Sequence, residues 1–330
     1  MTTKDFDRSD SFAETWLLGK DGGRRKLSRE EFDDYSPTEG EWLWLHLNYS
    51  EPGVKKWLRK SSGVPDLAAR ALLQADIRPR CVPVDSGLML FLRGINLNPG
   101  AAPDDMVSIR IWIDGQRIIS LAQHHLQTVD DMSEAMQQGV DLEKPGDFLT
   151  MFVNRLLNRA NTVVEDLSDT IDELEGAVID LEDPGLREQL SDVRRQAITL
   201  RRFLAPQREA LNRLVIEKTS ILSDNQRLYL REDSDRLTRL IEELDADRER
   251  AGVIHESLLS RIAEQTNQRM YVLSIIAAIF LPLSFVTGLL GVNVGGIPGM
   301  NNELGFSFVI LLMLFLAGAL WAFFHWRRWF

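Results

Sequence analysis

The sequence predicts an α+β cytoplasmic domain with long stalk helices, followed by a hairpin of two transmembrane helices. Residues 270–290 and 306–324 contain no charged side chain, and each run is close to the roughly 20 residues that a helix needs to cross a bilayer. The chain before them changes from strand-like to helical patterns near Asp147. A buried hairpin in a soluble protein is the alternative, and the length of the two charge-free runs disfavours it.

The same patterns divide the chain into segments. We predict a cytoplasmic α/β domain over 1–145, cytoplasmic helical arms with a stalk helix over 146–269, a first transmembrane helix over 270–291, an external loop over 292–305, a second transmembrane helix over 306–325 and a cytoplasmic tail over 326–330.

Positive charges beside the hairpin predict its orientation. Arg261 and Arg269 precede the first helix and Arg327 and Arg328 follow the second, whereas the loop carries only Glu303. Cytoplasmic ends of membrane helices collect Lys and Arg, so we expect both termini in the cytoplasm. The first thirty residues contain no apolar core of signal-peptide length, which agrees with this expectation.

The composition excludes several classes of protein. The formal net charge of −11 disfavours nucleic acid as a partner, because backbone phosphates need a basic surface. The single cysteine, Cys81, excludes an internal disulfide and a thiolate metal cluster, and we expect it to be a small buried residue. The sequence contains no pairing of nucleophile and base and no phosphate-binding loop, so we expect no enzymatic activity and no cofactor.

Short strand-like segments dominate the first domain. Residues 42–47 are dense in strand formers, and residues 82–97 are typical of one or two strands interrupted near Asp85. Residues 106–113 and 117–121 predict a hairpin across Asp114-Gly115. A helix is predicted among the strands by apolar residues at helical spacing, namely Val64, Leu67, Ala68, Ala71 and Leu72.

Long helices are predicted from about Asp147 onward. One apolar seam alternates steps of four and three, which is a heptad pattern; it comprises Leu167, Ile171, Leu174, Val178 and Leu181. Pro184-Gly185 breaks that run, and a return helix is indicated by Leu186, Leu190, Val193, Ile198 and Leu204. We expect Pro206 to kink or end the return helix. A last helix begins near Asp224 and lacks proline up to Pro282, so we expect it to continue into the bilayer.

The first transmembrane helix predicts a pore shared among copies of the chain. Two helices cannot enclose a channel, so conduction requires an oligomer in which each copy contributes a helix. Met270, Ala277, Ser284 and Gly291 recur every seven residues along one face. We predict a pore lining of Met270, Leu273, Ala277, Leu281, Ser284, Thr287 and Gly288. Ordinary helix packing, which also collects small residues, is the alternative.

The predicted pore offers few ligands to a bare cation. No Asp, Glu, His or Lys lies between Met270 and Glu303, so the available groups are the Ser284 and Thr287 hydroxyls, the Asn293 amide and backbone carbonyls. A divalent cation needs strong oxygen or nitrogen ligands to replace its water. We therefore expect an ion to pass with much of its hydration shell.

Gly291-Val292-Asn293 at the end of this helix resembles the CorA family of divalent-cation transport proteins. That family is marked by a Gly-Met-Asn tripeptide at this position and by a C-terminal hairpin of two helices. Val292 departs from the tripeptide, and together with the following loop Gly295-Gly296-Ile297-Pro298-Gly299 it is more similar to the zinc-transporting ZntB branch.

The resemblance implies a homopentameric funnel, with stalk helices that continue into the first transmembrane helix and a ring of second helices outside. It also implies that Gly291, Val292 and Asn293 form the external selectivity filter. The Asn293 amides would then contact the ion through its hydration shell. A ring of Glu303 carboxylates would attract cations to the outer mouth, although one exposed loop carboxylate could equally be unimportant.

Histidines supply further metal candidates. His124 and His125 are adjacent, and His255 precedes Glu256 on the stalk; imidazole suits zinc. Neighbouring residues on a strand point to opposite faces, so a surface or packing role is the alternative for each of them.

The function implied by the resemblance is zinc transport across a bacterial inner membrane, as proton-linked uptake. The expected partners are other copies of the chain, the lipid bilayer and divalent cations. The alternatives are a passive Mg²⁺, Co²⁺ or Ni²⁺ channel of the same architecture, zinc efflux, and a membrane-tethered sensor that conducts no ions.

Overall fold

The computed structural model describes residues 14–19, 23–27, 37–75, 77–85, 87–178, 185–217, 219–292 and 304–327. They form two compact units, which divide between His255 and Glu256. The first unit contains the β-sheet and most of the helices. The second contains the end of one long helix and the C-terminal helix.

A mixed sheet of seven strands forms the centre of the first unit. The strand order is β2-β1-β3-β7-β6-β5-β4; β3 and β7 are parallel, and the other neighbouring pairs are antiparallel. The strands are β1 (Glu14–Gly19), β2 (Arg24–Lys26), β3 (Glu41–Asn48), β4 (Arg80–Val84), β5 (Gly87–Gly94), β6 (Val107–Ile113) and β7 (Arg117–Ala122).

Helices cover both faces of this sheet. They are α1 (Pro52–Lys60), α2 (Asp66–Leu72), α3 (Gln127–Gln137), α4 (Pro145–Ala177), α5 (Leu186–Ile216) and the start of α6 (Asp224–Leu290), while α7 (Gly305–Trp326) belongs to the second unit. The predicted α+β class and the two apolar C-terminal helices are confirmed.

Side chains along β3 point alternately to the two faces of the sheet, and each face packs against different helices. Leu43, Leu45 and Leu47 share one apolar cluster with the buried side chains of α1 and α2. Trp42 and Trp44 point the other way, and their rings lie 6.0 and 4.8 Å from the ring of Phe148 on α4. A strand that is buried on both faces is apolar along nearly its whole length, which is why residues 42–47 are so rich in strand formers.

The β4–β5 connection requires a glycine. A Cβ atom on Gly87 would lie 2.3 Å from a ring carbon of Trp112 on the neighbouring β6, so no larger residue fits without displacing that ring. Asp85, at the turn, adopts a positive φ of 49°, a conformation that Asp tolerates better than most residues. The predicted interruption of residues 82–97 is therefore confirmed.

Three details of the prediction are wrong. Leu67 is 69% exposed, because Ala68, Ala69 and Leu72 form the face of α2 that meets the sheet. Ile198 is 48% exposed and Ala197 is buried in its place. Ala197 lies four residues after Val193 and three before Leu200, so it continues the heptad spacing of the buried face, whereas Ile198 does not. The predicted β6–β7 hairpin is confirmed, but its turn lies one residue later than expected, since Asp114 pairs with Arg117 across it.

Pro206 does not end the return helix. Helix α5 runs through it to Ile216. The next residue, Gln207, is 1% exposed and its side-chain oxygen accepts a hydrogen bond from the backbone N–H of Arg93 at 2.7 Å. The segment around Pro206 is thereby attached to β5.

Helices α4 and α6 lie side by side and parallel in a constant register. Polar side chains pair across them at Asp147–Gln226, Asn154–Asp233 and Ser168–Asp247, and each pair is separated by 79 residues in the chain. Asp233 and Asp247 are 5% and 3% exposed. Because a buried polar group without a partner is costly, these pairs fix the register of the stalk.

The Asp247 carboxyl makes the stability of this helix pair depend on pH. Burial raises its pKa above the usual range, against the effect of the hydrogen bond that the Ser168 hydroxyl donates. A carboxyl whose pKa is higher in the folded than in the unfolded state stabilises the fold at low pH. That contribution is lost as the pH rises through the folded-state pKa.

Asp247→Asn should therefore raise the melting temperature at pH 7, because the amide keeps an oxygen for Ser168 and removes the buried charge. The difference from the wild type should shrink as the pH is lowered towards 4. Thermal unfolding of the detergent-solubilised chain at several pH values measures this. Asp235→Asn, at an exposed position of the same helix, is the control and should show a smaller effect; equal pH profiles for the two variants would contradict the assignment.

Candidate functional site

The second unit contains two helices long and apolar enough to cross a membrane, the end of α6 and the whole of α7. Of the residues in their most apolar windows, 6% and 0% are buried. A core helix of a soluble protein would have most of these residues covered by the rest of the chain. Their exposure instead favours a bilayer as the surroundings of both helices.

Each helix carries one stripe of partly covered residues. The stripes repeat at steps of three and four, as one face of a helix does. On α6 the stripe comprises Ile275, Ala278, Ile279, Pro282, Leu283, Val286 and Leu290; on α7 it comprises Gly305, Val309, Met313, Leu316, Ala317, Leu320 and Phe324. We infer that the two stripes face each other.

The face predicted to line a pore lies elsewhere on α6. On a helix of 3.6 residues per turn, this face centres roughly opposite the covered stripe, with Thr287 towards its edge. All its members are exposed, namely Met270, Leu273, Ala277, Leu281, Ser284, Thr287 and Gly288. In a single chain this face therefore has no cover, and it is available to other copies of the chain or to water.

Two hydroxyl side chains lie on this face, and one of them is hydrogen-bonded within the helix. The Thr287 hydroxyl donates to the carbonyl oxygens of Leu283 and Ser284, at 3.2 and 3.0 Å. The Ser284 hydroxyl makes no hydrogen bond within the part of the chain that the structure describes. The helix remains continuous through Pro282, whose missing N–H leaves the Ala278 carbonyl without its usual helical partner.

The tripeptide predicted to form the filter begins where α6 ends. Gly291 donates its backbone N–H to the Thr287 carbonyl at 2.9 Å, and a Cβ atom at Gly291 would lie 3.1 Å from that same oxygen. Gly291 and Val292 are both exposed. The predicted filter residue Asn293 and the predicted mouth residue Glu303 lie outside the described residues.

The candidate histidines are not gathered into a larger group of metal ligands in the part of the chain that the structure describes. His124 and His125 lie in the connection after β7, which ends at Ala122, and not on a strand as expected. The His125 Nε2 atom lies 2.7 Å from a carboxylate oxygen of Asp130. Among the described residues, no group of three or more His, Cys, Asp or Glu side chains could hold a metal ion.

His255 lies elsewhere in the first unit, and Glu256 begins the second unit. The His255 side chain lines an opening of about 540 Å³ together with Glu188 and Asp192, but also with Arg187 and Arg194. The two guanidinium groups offset the carboxylates there and disfavour a bound cation.

Two features of the first unit were missed in the sequence. One is the pair of buried carboxylates, Asp233 and Asp247, which look like ordinary members of an acidic helix. The other is Arg110, which is 1% exposed on β6. A charged residue between Ile109 and Ile111 in an apolar strand was the available signal, since Arg is almost never fully buried unless paired.

The fold and this site define a class, membrane proteins in which a soluble α/β unit precedes a hairpin of two helices. A family model described as "CorA-like Mg2+ transporter protein" matches residues 39–328. The chain is 39% identical over 316 residues to the "Divalent cation transporter CmaX" of Pseudomonas aeruginosa, with 95% of each chain covered. It is 35% identical over 314 residues to the "Zinc transport protein ZntB" of Yersinia enterocolitica, covering 95% of this chain and 94% of the relative.

A solved structure agrees with these sequence comparisons. The full-length CmaX structure matches with a TM-score of 0.83 and 38% identity, covering 98% of this chain and 100% of that one. The chain belongs to the CorA family of divalent-cation transporters. The predicted family resemblance is thereby confirmed.

Cysteine labelling can identify the water-facing side of α6. The one native cysteine is a suitable background, because burial raises the pKa of the Cys81 thiol to about 12. Thiols react as thiolates, which form in contact with water and not in hydrocarbon. In proteoliposomes, Ala277→Cys and Ser284→Cys should react with a water-soluble maleimide about tenfold faster than variants on the covered stripe.

Ile279→Cys and Val286→Cys, on the opposite side of the same two turns, are the matched controls. Equal rates on both sides, or faster labelling at 279 and 286, would show that the predicted face does not line a pore.

Proposed function

We propose that the chain transports Zn²⁺ through a pore at the centre of a homopentamer in a bacterial inner membrane, with both termini in the cytoplasm. One observation carries the proposal: α6 has a charge-free face from Met270 to Gly291 that stays uncovered in the single chain, opposite the stripe we infer to meet α7. An aqueous route walled by one such face from each copy would account for this arrangement.

The chemistry of that face suggests how a cation crosses. Met270, Leu273 and Leu281 would form narrow apolar rings on the cytoplasmic side, and such constrictions gate by dewetting. Ser284, Thr287 and Gly288 would give a more polar passage towards the external end. A Thr287 hydroxyl that donates to its own helix still offers its lone pairs to the water around an ion. The cation would therefore pass with much of its hydration shell.

The filter would be the ring of Gly291, Val292 and Asn293. The amide oxygens of several Asn293 side chains would accept hydrogen bonds from the water molecules of a bound ion, which distinguishes cations without stripping them. Five Glu303 carboxylates at the outer mouth would raise the local concentration of cations, and the effect would weaken at high salt.

The names of the relatives support two ion specificities. Zinc is favoured by the ZntB relatives and by the Val292 departure that the sequence showed. A broader divalent specificity, including Mg²⁺, Co²⁺ and Ni²⁺, is the second candidate. It is favoured by the 39% identity to a relative named only as a divalent cation transporter, compared with 35% to ZntB.

We further propose uptake coupled to the proton gradient. No Asp, Glu or His lies between Met270 and Asn302, so a proton cannot be carried by a side chain within the membrane-spanning part of the pore helix. Coupling of zinc to protons would use carboxyl groups outside the membrane-spanning part of the helix. Asp233 and Asp247 are candidates, because burial raises the pKa of each carboxyl.

Asn293→Ala should abolish zinc flux into proteoliposomes, measured with an enclosed zinc-sensitive dye, while the oligomer still assembles on size-exclusion chromatography. The alanine removes the oxygen that orders the water around the ion. Asn302→Ala, in the same loop, is the control and should transport normally. Wild-type flux in Asn293→Ala would remove the filter assignment, and no flux in the wild type for any divalent cation would favour a membrane-tethered sensor.

A proton gradient should accelerate zinc entry when the outside is acidic, and the same gradient should leave Mg²⁺ entry unchanged. The same dye assay with and without a pH difference measures the first, and a magnesium-sensitive dye measures the second. Zinc flux that is indifferent to the gradient and no faster than Mg²⁺ or Ni²⁺ flux would instead support the passive channel. Faster zinc exit than entry would support efflux.

A further inference from the structure

A cavity of about 280 Å³ opens at one edge of the sheet in the first unit. Tyr49 follows β3, and Gln123 and His124 follow β7, so all three lie at the carboxyl ends of these parallel strands. The Tyr49 hydroxyl donates a hydrogen bond to the Gln123 side-chain oxygen at 3.1 Å. In α/β sheets, the crevice outside the carboxyl ends of parallel strands is where ligands commonly bind.

A buried arginine lines this cavity. Arg110 is 1% exposed, and its guanidinium carbon lies 3.8 Å from the centre of the Tyr49 ring. One terminal nitrogen donates to the Leu72 carbonyl at the end of α2, at 2.5 Å. Its Nε atom has no hydrogen-bond partner within the described residues.

Among the residues that the structure describes, no carboxylate forms an ion pair with Arg110. Burial lowers its pKa and the neighbouring Arg93 lowers it further, whereas the Tyr49 side chain, which hydrogen-bonds the guanidinium group, opposes these effects. Buried charges in proteins are normally paired, because desolvation of an unpaired one is costly. The cavity therefore carries positive charge that the described part of the chain does not neutralise at Arg110.

The remaining lining suits an anion better than a metal. Arg93 also lines the cavity and donates to the carbonyl oxygens of Met106 and Ile77, at 2.9 and 3.2 Å. Asn96, Ser108 and Gln123 supply neutral donors. Asp105 contributes a carboxylate, the one carboxylate that the structure describes in the lining. Two guanidinium groups beside His124 would repel Zn²⁺ from this histidine.

We propose that this cavity binds a small oxyanion, either phosphate or a short carboxylate, with Arg110 as the buried counter-charge and Asn96, Ser108 and Gln123 as neutral donors. Planar guanidinium groups recognise both kinds of oxyanion through paired hydrogen bonds. The volume fits one such anion with its remaining water. The site is independent of the proposed ion pathway, since it lies wholly in the first unit.

Isothermal titration calorimetry on the detergent-solubilised full-length chain tests the proposal. Inorganic phosphate and malonate are titrated separately, with chloride at matched ionic strength as the screening control. Gln123→Glu adds a negative charge at an exposed position of the rim and should weaken binding by about tenfold, and Asp105→Asn should strengthen it. Gln137→Glu, an exposed change on α3 outside the cavity, is the matched control and should leave the affinity unchanged.

Saturable binding of phosphate alone identifies a phosphate site, and binding of malonate alone identifies a carboxylate site. Loss of binding in Arg110→Gln supports the role of Arg110 as counter-charge, provided that the variant keeps the wild-type melting temperature within a few degrees. If Arg110→Gln is destabilised, the comparison of Gln123→Glu with Gln137→Glu decides whether the cavity binds the anion. The proposal is overturned if neither anion saturates the wild type, or if Gln123→Glu and Gln137→Glu bind alike.

Discussion

The hydrocarbon core of a membrane offers no hydrogen bonds to a peptide group, and the C-terminal part of this chain follows from that constraint. A helix satisfies nearly all of its backbone donors and acceptors internally, so both charge-free segments are helical. One side of α6 then carries partly covered residues, and the other remains open. The open side faces lipid unless copies of the chain assemble around it, and its two hydroxylated residues, Ser284 and Thr287, suit water better than lipid.

The soluble unit supplies rigidity to the same helix. The first part of α6 is held against α4 by polar pairs at a fixed register, and buried apolar residues such as Leu237 and Leu244 fill the spaces between those pairs. Buried polar pairs contribute little net stability, but they penalise any other register, because sliding would leave carboxyl groups without partners. A fixed register means that a shift of α4 and α6 against each other would break several of these pairs together.

The topology of the sheet brings positively charged side chains together. Its parallel pair, β3 and β7, brings their two carboxyl ends to one edge, and the antiparallel strands β5 and β6 bring Arg93 and Arg110 to the same edge. An acidic chain with a formal charge of −11 thus contains a local positive site. The site exists because the topology gathers four strand ends that are distant in sequence.

Much of this protein follows from its sequence alone. The two apolar C-terminal helices, the length of α6, the central strands and the family are predictable because each depends on local signals. These signals are long segments without charged residues, the periodicity of apolar residues, and the short motif Gly291-Val292-Asn293. The tertiary structure decided the features that depend on contacts between distant parts of the chain. It placed His124 and His125 in a connection rather than on a strand, and it paired Asp247 with Ser168. Burial and pairing are set by neighbours far along the chain, and no local pattern contains that information.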